Sequence, residues 1–535
     1  MSREAEFTMK KISVPQNFLL YTICLLSAAG LLALCSKSSP LYPLNDWGDI
    51  NCFYTVGKGM LHGRVPYVDL LDHKGPYVYA LGAAAYLMDR RGFGGYFLFE
   101  LLSMYCFLFY SYKLSALYMG EDAGRDNKVC LWMLPLLGMT VVSAKSFVHG
   151  GSWEQLSLGV FAYAIYSLLA FMRSREPALS ARVLVINGLL AGVLFWSKFS
   201  LLGLYIAWVL TVILLYLRRK QWAALGKAAL LFGCGGAATT LPWLAYFGVH
   251  GAVKTWLKVY LYENVFVYGM NTADSGGTVS LLTRGISTML NIWDSLADRE
   301  NWLYSIPLAL GIGFFLLQPP RKVSPGEKLA VLLMGAGLAS GIFIGSAKHD
   351  YYGLPLAVFA IWGMWLGSTA VNGLKNLLRR KTTCSKPIWS DIVPWAISML
   401  CALCISYHVS PNTYLLFTDR ADMPQYRFAE QILDSEDTSL LNYLFLDGGF
   451  YTVTGQVPTE RIFCMFNMNR AERIKQQQEY VRQQRTHWIV TWRALEVSEE
   501  ELRGEDVLTE YYDLVDYMYF YFEGDYRTYA LYEKK

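Results

Sequence analysis

The chain has 535 residues, of which 54% are hydrophobic and only 17% charged, against about 25% charge in ordinary soluble domains. That balance excludes a string of soluble domains and leaves a polytopic membrane protein whose apolar runs reach bilayer-spanning length. The net charge of +4, from 47 basic and 43 acidic residues, carries no signal for nucleic acid.

The first eleven residues are rich in charge and precede an apolar run from Asn17 to Cys35. No small-residue cleavage site follows, and many further spans do. The run therefore reads as a retained first helix, with Lys10 and Lys11 holding its start in the cytoplasm. A polar stretch from Lys37 to Lys74 comes next. Apolar segments then cover 77–88, 94–119, 129–148, 154–172, 183–197, 199–217, 223–249, 303–317, 329–346, 351–370 and 391–409. Several connections are basic: Arg173 and Arg175, Arg218-Arg219-Lys220, Arg321 and Lys322, and the run Lys375, Arg379, Arg380, Lys381, Lys386. Positive charge favours the cytoplasm. Arg182 to Leu217 then becomes a helical hairpin with Lys198 at its outer tip. The outer side also takes the loops at about 37–76 and 250–302, His149-Gly150-Gly151 and Lys348-His349-Asp350. Between residues 77 and 149, both outside, three apolar segments fall where an even number of crossings is required. One of them is expected to be short, re-entrant or flat on the membrane, giving about 11–13 spans in all.

The last span ends near Ser406. Residues 411–535 have another character, with strand-like runs at Thr413–Phe417, Tyr443–Leu446, Trp488–Trp492 and Thr528–Tyr532 and a polar helix-like stretch, Ala471–Gln484. They predict a small α/β domain, extracytoplasmic by the same parity, whose main role is that of a structural lid. Cys24, Cys35, Cys106, Cys130, Cys234, Cys401 and Cys404 sit in apolar runs, where a thiol behaves as a small hydrophobe. Cys52 and Cys464 fall in polar segments and could meet in an oxidising compartment. The CxxC at Cys401–Cys404 lies inside an apolar run, and no HExxH or Cys/His cluster suggests a metal.

Ionisable groups beside or within spans are costly and usually face a cavity. In the first outer loop, Asp49, Phe53, Val56 and Met60 recur at helical spacing, predicting an amphipathic helix on the interface that also carries Tyr54 and Lys58. Asp49 would then be an N-cap or first-turn carboxylate, or a catalytic one. The loop ends in Asp72-His73-Lys74-Gly75-Pro76, either a polar boundary with a snorkelling lysine or a ring around an anionic headgroup. Glu154 opens a span, as a helix-start carboxylate or a ligand for a substrate hydroxyl. Lys198 stands in the otherwise apolar Val193–Phe199, and Lys348-His349-Asp350-Tyr351-Tyr352 begins another span. Each lysine either marks the membrane boundary or contacts phosphate, which lysines bind as point charges.

In order and spacing these islands resemble the GT-C glycosyltransferases, particularly the protein O-mannosyltransferase and bacterial aminoarabinose-transferase branch, glycosyltransferase family 39-like. The family's first-loop pattern maps onto Asp49, Phe53-Tyr54, Met60-Leu61, Gly63 and Lys74-Gly75-Pro76. Later elements map onto Glu154, Lys198 at the end of a run from Gly192, and His349-Asp350-Tyr351-Tyr352-Gly353-Leu354-Pro355. The double acidic motif common in the family is absent, since Ile50 follows Asp49, and Cys52 stands where some members have arginine. Asp46 therefore remains a rival to Asp49 for the catalytic role.

The resemblance implies a polytopic all-α GT-C-type membrane domain over residues 1–410 and the extracytoplasmic α/β domain over 411–535. It implies a multi-pass enzyme of the cell membrane acting in envelope glycosylation. Such an enzyme takes a sugar from a polyprenyl-phosphate-linked donor to a hydroxyl of a lipid, glycan or protein acceptor, with inversion, at the outer face of the bilayer. Asp49 or Asp46 would be the base. Lys58, Asp72, His73, Lys74, Glu154, Lys198, Lys348, His349, Tyr351 and Tyr352 would bind substrate. No cofactor is expected, and a divalent cation stays an open alternative. Two rivals use similar groups: a transporter or flippase for an amphiphilic anion, and an oligosaccharide polymerase or ligase. The first should show paired repeats and helices broken at mid-membrane, and no repeat is visible. The second normally carries its large outer loop late in the chain.

Overall fold

The computed structural model describes residues 14–119, 123–268, 281–345, 349–378, 389–466, 470–504, 506–522 and 525–535. Lys10, Lys11, Lys348 and the basic residues from Arg379 to Lys386 lie outside the described residues. The apolar runs form helices: α1 (Val14–Cys35), α2 (Gly48–Leu61), α3 (Pro76–Met88), α4 (Gly94–Met119), α5 (Ala123–Val142), α6 (Trp153–Arg173), α7 (Ala181–Phe195), α8 (Gly203–Arg218) and α9 (Trp222–Val249). They continue as α10 (Val253–Leu257), which runs into a π-helical stretch Lys258–Tyr268, then α11 (Leu281–Ala297), α12 (Trp302–Leu317) and α13 (Pro325–Phe343). A 3-10 stretch, Asp350–Ala360, leads into α14 (Ile361–Leu378), and α15 (Trp389–Val409) closes the bundle.

Among the described residues, nine helical segments are long and apolar enough to cross a membrane, joined by two shorter apolar ones, Val129–Val142 and Ala181–Phe195. The chain is a polytopic helical membrane protein, because only internally hydrogen-bonded backbone tolerates hydrocarbon. Large apolar side chains such as Leu230, Leu241 and Leu400 point outward from the bundle. Small residues let the helices touch. Gly188, Gly192 and Gly235 lie in the α7–α9 contact, and Gly203, Gly337 and Gly341 in the α8–α13 contact. The odd crossing expected between residues 77 and 149 is explained by α3. Its 13 residues extend only about 20 Å, short of the ~30 Å of hydrocarbon, and it packs along α2.

Side-chain and backbone bonds gather the loops at one end of the bundle. Asn412 donates to the carbonyls of Cys35 at 2.8 Å and Phe147 at 3.1 Å, tying together the segments that follow α15, α1 and α5. The amides of Gly75 and Tyr77 donate to the carbonyls of Ser197 (3.2 Å) and Trp196 (3.3 Å). The end of the first loop is thus stitched to the α7–α8 turn. A side chain at Gly75 would not fit there: a Cβ would lie 2.0 Å from the Trp196 carbonyl oxygen.

Residues 411–535 form a sheet of order β1-β2-β4-β3, with β1 (Leu440–Asn442) parallel to β2 (Trp488–Ala494) and the antiparallel β3 (Tyr512–Phe522) and β4 (Asp525–Lys534) beyond it. The helices α16 (Pro424–Asp434), α17 (Phe450–Thr454) and α18 (Arg470–Arg482) accompany it. The strands expected around Trp488 and Thr528 and the helix expected from Ala471 are present. Thr413–Phe417 is instead a 3-10 turn at Thr413–Leu415, because Asn412 pins the chain to the bundle. The strand expected at Tyr443–Leu446 lies just earlier, at Leu440–Asn442. Leu444 turns out of the sheet with φ of 66°, its amide donating to the Gln477 side chain at 2.9 Å.

This domain covers one face of α2. Asn51 accepts from Thr452 (2.9 Å), Thr55 donates to Asp447 (2.6 Å) and Lys58 donates to the Tyr451 carbonyl (2.6 Å). These positions, i, i+4 and i+7, form one stripe of the helix. Residues 50–59 of α2 are all buried. The amphipathic helix expected to lie on the membrane interface is therefore present, but enclosed by protein, because its polar stripe meets a second protein surface instead of water.

Two expectations follow from these contacts. Gly75→Ala should destabilise the protein by about 1–3 kcal/mol, since a methyl must displace backbone. Gly226→Ala, where a Cβ meets nothing within 4 Å, is the control, and equal melting of the two purified variants would refute the steric argument. Lys58 gives a pH dependence. Burial pulls its amine down from 10.5 to about 7, so the unfolded chain holds the extra proton across that window and stability rises with pH from about 7 to 10.5. Asp447, pushed up by burial, has the opposite sign and acts at the acid end. Lys58→Met should flatten the alkaline rise in denaturation midpoints measured from pH 7 to 10; an unchanged slope would assign the rise to other groups.

Candidate active site

The gathered loops enclose a cavity of about 880 Å³. Its polar end is lined by Asp49, His73, Lys74, His149, Lys198, His349, Tyr351 and Tyr352. Its other wall is apolar and comes from the bundle, with Ile206 of α8 and Gly337, Ile342 and Phe343 of α13. The amphipathic α11 supplies Arg284, Ser287 and Thr288, and Phe466 reaches in from the 411–535 domain.

Asp49 lies in the first turn of α2, where the helix start favours a carboxylate. It does not cap the helix: the N-cap is Trp47, and no side chain bonds back to the turn. The Asp49 carboxylate stands 3.4 Å from the Lys74 ammonium, each about one-fifth exposed. Lys198 is in direct ionic contact with Glu154, which is 1% exposed in the first turn of α6. The Lys198 ammonium also sits over the rings of Tyr352 (4.4 Å) and Tyr351 (5.1 Å), cation–π contacts that hold its charge without quenching it. Lys74 and Lys198, distant in sequence, line the same cavity because the Gly75 and Tyr77 amides are bound to the Trp196–Ser197 backbone.

Aromatic stacking fixes the remaining wall. Trp47 stacks on His149 at 4.7 Å, and Tyr351 meets Trp47 at 5.4 Å, His149 at 5.2 Å and His349 at 5.6 Å. Burial pushes His73, His149 and His349 below the usual imidazole range, helped by Lys74 at His73 and by Lys37 at His149. These rings are therefore neutral hydrogen-bonding groups near pH 7, and the positive charge of the site comes from Lys74, Lys198 and Arg284. Asp72, next to His73, is 3% exposed and receives the His73 amide at 2.6 Å. Burial raises its carboxyl to about 6, against the opposing pull of Lys74.

Asp46 and Lys58, named beside these residues from the sequence, go elsewhere. Asp46 is fully buried in an ion pair with Lys37 and receives the Tyr414 hydroxyl at 2.5 Å. Lys58 lies under the 411–535 domain. Neither of these, nor Asp72, is among the residues lining the cavity. Asp49, His73, Lys74, Lys198, His349, Tyr351 and Tyr352 are brought together, with Glu154 behind Lys198; Lys348 lies outside the described residues. Trp47, His149, Arg284 and Phe466 were not singled out from the sequence. Arg284, a basic residue on an amphipathic helix in the long 250–302 loop, had a readable signal; Phe466 had none. Among the described residues no three His, Cys, Asp or Glu side chains are grouped to hold a metal ion.

No protein-family model and no curated protein matches the sequence. Solved structures do match the fold. ArnT from Cupriavidus metallidurans bound to undecaprenyl phosphate superposes with a TM-score of 0.59 at 11% identity, covering 97% of this chain and 98% of that one. The apo state of the same protein gives 0.56 at 12% identity, with the same coverage. At that identity the likeness speaks for architecture: the chain has the GT-C-type membrane fold over nearly its whole length, including residues 411–535.

Proposed function

We propose that this protein transfers a sugar from a polyprenyl-phosphate-linked donor to a hydroxyl of a lipid, glycan or protein acceptor at the extracytoplasmic face of the cell membrane. The observation that carries the reading is the cavity itself. A carboxylate and two lysines stand at one end, and an apolar wall from α8 and α13 continues from them. An anionic headgroup on a hydrocarbon chain has that shape and polarity. The ArnT structure with undecaprenyl phosphate supplies a precedent for such a ligand on this fold. Basic connections such as Arg218-Arg219-Lys220 and Arg321-Lys322 support a cytoplasmic opposite end, which would leave the cavity and the 411–535 domain outside.

The chemistry follows from the ion pairs. An acceptor hydroxyl has a pKa far above 7 and needs a base as attack proceeds. Asp49 opens on the cavity and fits that role; Asp46, locked to Lys37, does not. A donor phosphate competes with Asp49 for Lys74. Donor binding would thereby free the Asp49 carboxylate to accept the hydrogen bond of the acceptor hydroxyl. The hydroxyl proton passes to Asp49, the new C–O bond forms at the anomeric carbon, and the old C–O bond leaves its electrons on the polyprenyl phosphate. Lys74 and Lys198 receive that charge without reorganising. One base and one leaving group on opposite sides of the carbon give inversion. Any cation acting beside them would add to these residues' work.

Asp49→Asn should lower turnover by about 10²–10⁴, read as release of polyprenyl phosphate from a panel of polyprenyl-phosphate sugars by purified protein in detergent. Asp46→Asn, which leaves Lys37 unpaired, should reduce folded yield and leave turnover per folded molecule within a few-fold. Full turnover in Asp49→Asn, with loss confined to Asp46→Asn, would move the base to Asp46.

A further inference from the structure

The Sγ atoms of Cys52 and Cys464 lie 3.5 Å apart, although 412 residues separate them in sequence. Cys52 is on α2, three residues after Asp49, and Cys464 belongs to the 411–535 domain. Both are free thiols and fully enclosed, at 1% and 0% exposure. The surrounding backbone holds them in register. The Leu71 amide donates to the Arg461 carbonyl at 3.0 Å, the Met465 amide donates to the Phe445 carbonyl at 2.7 Å, and Arg461 donates to the Tyr67 carbonyl at 3.2 Å. A disulfide needs the sulfurs at about 2.05 Å, so the two thiols, already in contact, have only a short further approach to make. We propose that Cys52 and Cys464 form a disulfide that fastens the 411–535 domain to the helix carrying Asp49.

In forming it, both S–H bonds break and one S–S bond is made. The two electrons and two protons pass to a protein or small-molecule disulfide, which becomes a dithiol, through a mixed-disulfide intermediate. Burial pushes the Cys464 thiol up to about 11 and the Cys52 thiol above its usual range, so the docked pair lacks the thiolate that exchange requires. The bond is therefore made while the domain is still open and sealed once it docks, out of reach of external thiols. This rests on the extracytoplasmic placement proposed above, since disulfides persist where the compartment is oxidising.

The test is peptide mapping of the full-length protein, acid-quenched and alkylated in intact membranes before any reductant. A linked pair of peptides containing Cys52 and Cys464, lost on reduction and absent from Cys464→Ser, is the expected result. Recovery of both cysteines as separately alkylated peptides would overturn the proposal. Sidedness is read independently, by labelling an exposed Arg503→Cys reporter, in a Cys52→Ser, Cys464→Ser background, with a membrane-impermeant maleimide on intact cells. A labelled reporter with a reduced pair rejects the disulfide alone; a protected reporter with a reduced pair rejects the placement as well.

Discussion

Charge taken out of water must be matched locally, and the end of the bundle that carries the cavity is organised by that requirement. Lys37 is paired with Asp46, Lys74 with Asp49 and Lys198 with Glu154, while Lys145 faces Asp298, Glu300 and Asp350 at 3.3–3.8 Å. An unpaired ammonium at this depth would cost several kcal/mol. The pairs divide by exposure into two kinds. Lys37–Asp46 is closed to solvent and holds the first loop in shape, whereas Lys74–Asp49 is partly open to the cavity. The two pairs use the same chemistry and differ in access.

The helix α2 shows how the site is held rigid. Its stripe of Gly48, Asn51, Thr55 and Lys58 meets the 411–535 domain, Gly57 meets the backbone of α3, and Asp49 faces the cavity and its Lys74, whose ammonium also lies over the Phe53 ring. A carboxylate keeps a fixed place in a cavity only if the helix that carries it is fixed. A helix clasped on two sides satisfies that better than one lying on a lipid surface.

Much of this was legible from the sequence. Long apolar runs announce spans, and most predicted segments match a helix to within a few residues, because hydrocarbon leaves the backbone few alternatives. The exceptions are 129–148, where the helix is Ala123–Val142, and 351–370, which opens as a 3-10 stretch and continues as a helix to Leu378. Two of the cavity cations, Lys74 and Lys198, were legible because each interrupts or borders an apolar run: Lys198 has no ordinary place in Val193–Phe199. Asp46 and Lys58 show what was not. A buried ion pair and a lysine under a second domain look, in sequence, like their neighbours that face the cavity, because only long-range contacts to Tyr414 and Tyr451 distinguish them. The strand Tyr512–Phe522 was hidden for another reason: its acidic residues are paired or exposed at a sheet edge, as Asp516 is with Arg427.

The clasp on α2 also sets an order of events during synthesis. The residues that complete its polar stripe, Asp447, Tyr451 and Thr452, follow every membrane helix of the described chain. While the ribosome is still extending the chain, Thr55 and Lys58 have no partners from that surface and the helix bearing Asp49 has one face open. The nascent protein can be inserted fully into the bilayer before this face is covered. The clasp is completed only with translation of the last quarter of the chain, so a prematurely stopped product would carry α2 in the membrane with its polar stripe unpartnered by that surface.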